Sequence, residues 1–131
     1  MATIKEDYVS FETAKLLKEK GFDESCYQKY DDEGYLSFNH VGYINSESPS
    51  DDFSALAPTH QMAMKWLREV NKVLIVIDAY HADHWEGYID GFEISIYSHA
   101  STIIVPNEIA YHTNYEEACE AAIKYCLEKL I

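Results

Sequence analysis

The densest run of side chains able to do chemistry is Asp78-Ala79-Tyr80-His81-Ala82-Asp83-His84-Trp85-Glu86. Its two imidazoles and its carboxylates are the donor types of a zinc or other transition-metal site. They follow an apolar run, at a point where a strand gives way to a turn and polar side chains collect anyway. His-x-x-His without a helical frame is not a recognised ligand spacing. The expectation is therefore that no metal is held and no cofactor is used. The alternative, a small enzyme or metal-binding protein built on His81 and His84, requires a cleft that gathers those side chains.

The cysteines are a second source of chemistry. Cys26, Cys119 and Cys126 are an odd number with no ligand-like spacing, which suits a reducing compartment and a cytoplasmic protein. Cys119 and Cys126 fall on one helix face but roughly 10 Å apart along the axis, beyond disulfide reach. They read as buried thiols acting as small apolar groups. A nucleophile made by pairing a cysteine with His60 or His112 lacks the electropositive setting that lowers a thiol pKa. His60 sits in the first turn of a helix, where the positive helix end disfavours imidazolium, so it reads as neutral and structural. The sequence has no glycine-rich phosphate loop, no Gly-x-Ser-x-Gly elbow and no basic-aromatic strip.

Composition narrows the classes further. The chain has 131 residues, which predicts a single domain, 1–131. Apolar content of 47% excludes a wholly disordered chain. Its 23 Asp and Glu against 10 Lys and Arg give a formal charge of −13, a field that repels phosphate backbones. Ordinary nucleic-acid binding is disfavoured. An acidic mimic of nucleic acid is a further reading, and it predicts carboxylates in rows at phosphate-like spacing; here the acids are scattered. No apolar run approaches the ~18–20 residues that cross a bilayer, so no membrane role is expected. Eleven tyrosines suit half-buried sheet faces and interfaces, being apolar in the ring and tolerant of water at the hydroxyl.

Three helices and a small sheet position these groups. Ser10 caps a first helix whose stripe is Phe11, Ala14 and Leu17, ended by Gly21 with Phe22 folding back on Leu17. Asp31-Asp32-Glu33-Gly34 reads as a turn, the aromatic alternation from Tyr35 to Tyr43 allows a short hairpin, and Asn45 to Ser54 reads as a loop. Thr59 caps a second helix with Met62, Ala63, Trp66, Leu67 and Val70 as its stripe, stopped at Asn71. Val73 to Ile77 is an apolar strand. Trp85 to Ser98 reads as a second strand, with Gly91 a bulge or Asp90-Gly91 a hairpin turn. Thr102 to Val105 is a third strand, ended by Pro106. The last helix opens with a capping box, Thr113 with Glu116 or Asn114 with Glu117. It keeps Tyr115, Ala118, Cys119, Ala122, Ile123, Cys126, Leu127 and Leu130 on one face.

Three blocks now carry a resemblance: Ser10 to Glu24, Ala57 to Glu69 and Tyr115 to Glu128. Together they resemble an uncharacterised family of small proteins from Bacteroides-type bacteria and their phages. The resemblance spans almost the whole chain and implies a compact α+β domain of bacterial or prophage origin. It implies no activity and carries over no catalytic residue.

The fold class that follows is α+β: a small, mainly antiparallel sheet of about three strands plus a short hairpin, with three helices packed on one face. Phe11, Leu17, Trp66, Leu67, Cys119, Ile123, Cys126 and Leu127 are the expected core. Strict alternation sends Val73, Ile75 and Ile77 to one face, and Leu74, Val76 and Tyr80 to the other, with Tyr97 joining them if the register permits. That second set needs a cover, because monomers seldom leave such a patch bare. The segment from Tyr27 to Phe53, a second copy of the chain and a foreign partner are the available covers, and partial cover by that segment together with a homodimer contact is the expectation. The functional expectation is a non-enzymatic binding or adaptor protein acting through this surface on a protein partner.

Overall fold

The computed structural model describes residues 6–38, 55–80, 91–99 and 101–131. The chain divides into two compact units, Met1–Ala63 and Met64–Ile131, with the division inside one helix. Among the described residues are four helices and two antiparallel sheets, so the α+β class is the one the patterning predicts. In place of one sheet with three helices on one face, however, helix Phe11–Glu19 meets strand Ala55–Leu56 of a three-stranded sheet and helix Tyr115–Lys129 lies on a four-stranded one. The loop expected at 45–54, Tyr43, and residues 85–90 of the expected second strand lie outside the described residues.

In the first unit, α1 (Phe11–Glu19) begins where Ser10 Oγ accepts from the Thr13 N–H at 3.2 Å. It ends on a Schellman turn: Phe22 N–H donates to the Leu17 carbonyl at 2.9 Å and Gly21 N–H to that of Lys18 at 3.2 Å. Gly21 adopts φ +92°, which glycine enters without a Cβ clash. Leu17 and Phe22 are both buried, as expected. Phe11 is not: it is half-buried, and Thr13 takes the buried place beside Ala14.

Phe11 instead meets the hairpin of β1 (Gln28–Tyr30) and β2 (Leu36–Phe38), its ring 5.5 Å from that of Tyr30. The predicted turn joins these strands, with Asp31 Oδ1 accepting from the N–H groups of Glu33 and Tyr35 at 2.9 and 3.0 Å. Gly34 serves the turn twice. Its φ is +91°, and a Cβ there would stand 2.9 Å from the Phe11 ring. The hairpin lies earlier than the aromatics of 35–43 indicate, because its first strand precedes the turn. Short β3 (Ala55–Leu56) pairs with β1 and completes the order β2-β1-β3.

Helix α2 (His60–Asn71) is capped by Thr59, whose Oγ1 accepts from the Met62 N–H at 3.1 Å. Its buried side is His60, Ala63, Met64, Trp66 and Leu67, whereas Met62 and Val70 are exposed. The expected stripe is thus rotated. Met62 and Met64 are equally apolar, so periodicity alone does not choose between them. The left-handed stop falls on Lys72, φ +59°, one residue after Asn71. Lys72 Nζ donates to the Glu69 carbonyl at 2.9 Å, setting a cation at the negative end of the helix.

The second unit is a four-stranded sheet with a helix laid on it. The long strands β4 (Val73–Tyr80) and β5 (Gly91–Ser98) pair antiparallel throughout, from Val73 opposite Ser98 to Tyr80 opposite Gly91. On the other edge of β5 lie two short pieces, β6 (Ser101–Ile103) beside residues 96–98 and β7 (Tyr111–His112) beside Phe92 and Glu93. Between them residues 104–110 loop out through α3 (Asn107–Ala110), while β5 advances only through Ile94 and Ser95. The expected strand to Val105 is therefore cut short at Ile103, and Ile104 is 89% exposed.

Helix α4 (Tyr115–Lys129) covers one face of this sheet. Asn114 is its cap, accepting from the Glu117 N–H at 3.0 Å, so the Asn114 register prevails over the Thr113 one. Asn114 is extended, φ −130°, which points its side chain back at the first turn. Ala118, Cys119, Ala122, Ile123, Cys126 and Leu127 are buried on α4, as the periodicity predicts, and the facing strand residues Val73, Ile75, Ile94 and Ile96 are buried too. Phe92 meets Tyr115 edge to face, ring centres 5.5 Å apart. No helix among the described residues is long and apolar enough to cross a membrane.

Candidate functional site

Alternation gives the sheet of the second unit an outer face, opposite α4. Leu74, Val76, Asp78 and Tyr80 point to it from β4, and their cross-strand partners are Tyr97, Ser95, Glu93 and Gly91. The register brings Tyr97 directly opposite Leu74 and next to Thr102 of β6. The four residues predicted for the surface therefore share one face. Leu74, Tyr80 and Tyr97 are 38–39% exposed and Val76 is half-buried. They do not form one tight cluster: Leu74 and Tyr97 sit at one end, and Tyr80 is six residues along the strand, roughly 20 Å away.

Tyr80 has a different neighbour. Its ring lies 5.1 Å from that of Tyr111, edge to face, and Tyr111 is itself 45% exposed. β7 sets Tyr111 opposite Glu93, and its hydroxyl donates to Glu93 Oε1 in a long contact of 3.4 Å. The Glu93 carboxylate raises the Tyr111 pKa above its ordinary value, since it opposes a phenolate beside it, and partial desolvation adds to the effect. Beside this pair is an open depression of about 200 Å³ lined by Tyr80, Gly91, Phe92, Tyr111, His112 and Thr113. Gly91 makes the close approach of β5 to β7 possible, for a Cβ there would stand 2.6 Å from the His112 carbonyl oxygen.

Sequence reasoning missed Tyr111. A two-residue strand after a one-turn helix leaves no periodicity to read. It also passed over a charge signal: no lysine or arginine occurs between Lys72 and Lys124, so every strand of this sheet lacks both. In that setting Asp78 and Glu93 stand directly opposite one another on the outer face.

The other chemical candidates fall differently. Asp78 is described, but His81, Asp83, His84, Trp85 and Glu86 lie outside the described residues. Among the described residues no three His, Cys, Asp or Glu side chains gather as metal ligands would. Cys119 and Cys126 are fully buried, and burial pushes the Cys126 thiol up to about 12. Burial, with help from Glu24, pushes Cys26 to about 12 as well. Neutral thiols of this kind are the reverse of activated nucleophiles. Ring nitrogen Nε2 of His112 lies 2.7 Å from the Ile109 carbonyl, which ties the ring to α3. His60 is buried, and its backbone N–H donates to the Asp7 carbonyl at 3.0 Å.

No protein family, curated protein or solved structure matches the chain.

Proposed function

We propose that this chain is a non-enzymatic binding or adaptor protein that engages a protein partner through the outer face of its four-stranded sheet. The observation carrying the reading is the row of exposed apolar and aromatic residues on that face, Leu74, Tyr80, Tyr97 and Tyr111. Tyrosine supplies large contact area at low conformational cost and is enriched at interface centres. The rigid ladder beneath it holds these side chains in register before any partner arrives, which lowers the ordering cost of binding. Buried cysteines held as thiols rather than disulfides support a reducing, cytoplasmic setting. The three sequence blocks that resemble proteins of gut bacteria and their phages support an accessory or prophage origin.

The test is affinity capture from bacteria of that type, with the wild-type chain and a Tyr80→Ala/Tyr97→Ala variant side by side. A protein retained by the wild type and lost from the folded variant is the expected result. Equal retention by both, or conversion of a small-molecule substrate by the wild type, would sink the reading.

A further inference from the structure

The outer face sets two carboxylates against each other on strands that carry no lysine or arginine. Asp78 and Glu93 are cross-strand partners, and like charges directly opposite one another on a sheet are destabilising. Neither strand contributes a lysine or arginine, nor does any other strand of the sheet. Tyr111 approaches Glu93 from the next strand with a hydroxyl, which donates a proton but brings no positive charge. The Tyr80–Tyr111 pair stands next along the same face, with Tyr111 opposite Glu93 and Tyr80 two residues from Asp78, and both rings line the open depression.

Two carboxylates beside aromatic faces match a guanidinium or ammonium group. The carboxylates accept its hydrogen bonds and the rings attract it through their negative faces. We infer that the outer face receives a cationic segment of another protein, with an arginine or lysine side chain seated on Asp78 and Glu93 beside the Tyr80–Tyr111 pair. This rests on the reading of the face as a binding surface and names its occupant. The apolar residues decide between a segment and a free cation: Leu74, Val76 and Tyr97 continue the face for roughly 20 Å beyond Tyr80, enough for several residues of extended chain. Charge decides against a second copy in a symmetric pair. A two-fold interface on this face would bury the carboxylates of both chains, each of charge −13, with no lysine or arginine on either copy of the sheet to pair with them.

The experiment is selection from a random peptide display library on the full chain, followed by titration of the winners against three variants. The Asp78→Asn/Glu93→Gln variant removes the charges but keeps a side-chain oxygen at position 93 that can accept from Tyr111. The Glu117→Gln/Glu128→Gln variant removes the same charge from exposed positions of α4. Tyr80→Ala/Tyr97→Ala tests the face. Enriched peptides should carry lysine or arginine above the library frequency and bind more weakly as salt rises. They should lose about tenfold or more in affinity on the Asp78/Glu93 variant and little on the α4 variant. Equal losses on both charge variants would reduce the effect to general attraction and overturn the inference. Neutral or acidic winners that still depend on Tyr80 and Tyr97 would overturn it while leaving the binding surface standing. So would sedimentation showing a dimer that Tyr97→Glu dissociates. Failure to enrich any peptide dependent on this face would overturn both.

Discussion

The two faces of the four-stranded sheet are made by alternate residues of the same strands, yet they solve opposite problems. On the inner face Val73, Ile75, Ile94 and Ile96 lie buried under α4, with no charged residue among them. On the outer face Leu74, Tyr80 and Tyr97 are exposed, and Asp78 stands against Glu93. A slip of one residue in register would exchange the two faces completely. The inner face therefore holds the register, and the outer face is carried in register by it. The tyrosines and carboxylates need no mutual attraction to stay in place, because the isoleucines beneath them set their positions.

The largest effect should come from moving the character of one face onto the other. Ile96→Glu puts a carboxylate under α4 and should cost at least about 4 kcal/mol, enough to unfold a marginal unit. Val76→Glu makes the same kind of change on the outer face and should cost under about 1 kcal/mol. Chemical denaturation of the pair measures the contrast. Similar losses at both positions would mean that the outer face is covered as tightly as the inner one.

The pH dependence sharpens the comparison from the α4 side. Burial raises the Cys126 thiol from 9.0 to about 12, so the folded chain keeps a proton that the unfolded chain loses first. Stability from this group is fully present below pH 9 and is lost as pH climbs toward 12. The unfolding free energy of wild type relative to Cys126→Ala should fall by up to about 4 kcal/mol across that window. A flat difference would place the thiol in contact with solvent.

Gly91→Ala is the intermediate case. Its Cβ would collide with the His112 carbonyl oxygen at 2.6 Å. Either β7 moves away, taking Tyr111 from Tyr80, or β5 is strained, at about 1–3 kcal/mol. Tyrosine ring shifts measured by NMR would register the separation, and unchanged Tyr80 and Tyr111 signals would show that β7 does not depend on this approach. Asp78→Asn should have the smallest effect and the opposite sign. Relief of the opposed carboxylates should raise stability by roughly 0.2–1 kcal/mol. The gain should shrink with added salt; a loss of stability would mean that Asp78 is already neutralised within the chain.

Sequence patterning reached the elements with strong local signals. Ser10, Gly21 and Phe22 mark both ends of α1 because capping chemistry is confined to a few adjacent residues. The burial of Ala118, Cys119, Ala122, Ile123, Cys126 and Leu127 followed from a long, regular repeat, whose ends at Tyr115 and Leu130 are not buried. Where two residues satisfy the same rule, the sequence could not choose. Met62 and Met64 compete for the α2 core, Asn71 and Lys72 for the stop, and Thr113 and Asn114 for the α4 cap. In each case the outcome depends on packing or backbone geometry outside the local window. The candidate face was legible in β4, where alternation is strict, and illegible in β7, where two residues carry no period. Tyr111 joined the face only through its pairing with Glu93.

The split edge of β5 also bears on how this molecule meets its neighbours in bulk. Residues 104–110 leave the ladder between β6 and β7, so that margin offers an incoming chain only two short runs of peptide groups. α3 and the exposed Ile104 stand in the gap between the runs. A long, flat margin would template strand after strand from neighbouring molecules, the first step toward cross-β fibrils. Interruption breaks that template into pieces too short to nucleate on, and the exposed Glu108 of α3 adds a charge in the gap, protecting this side of the molecule from aggregation.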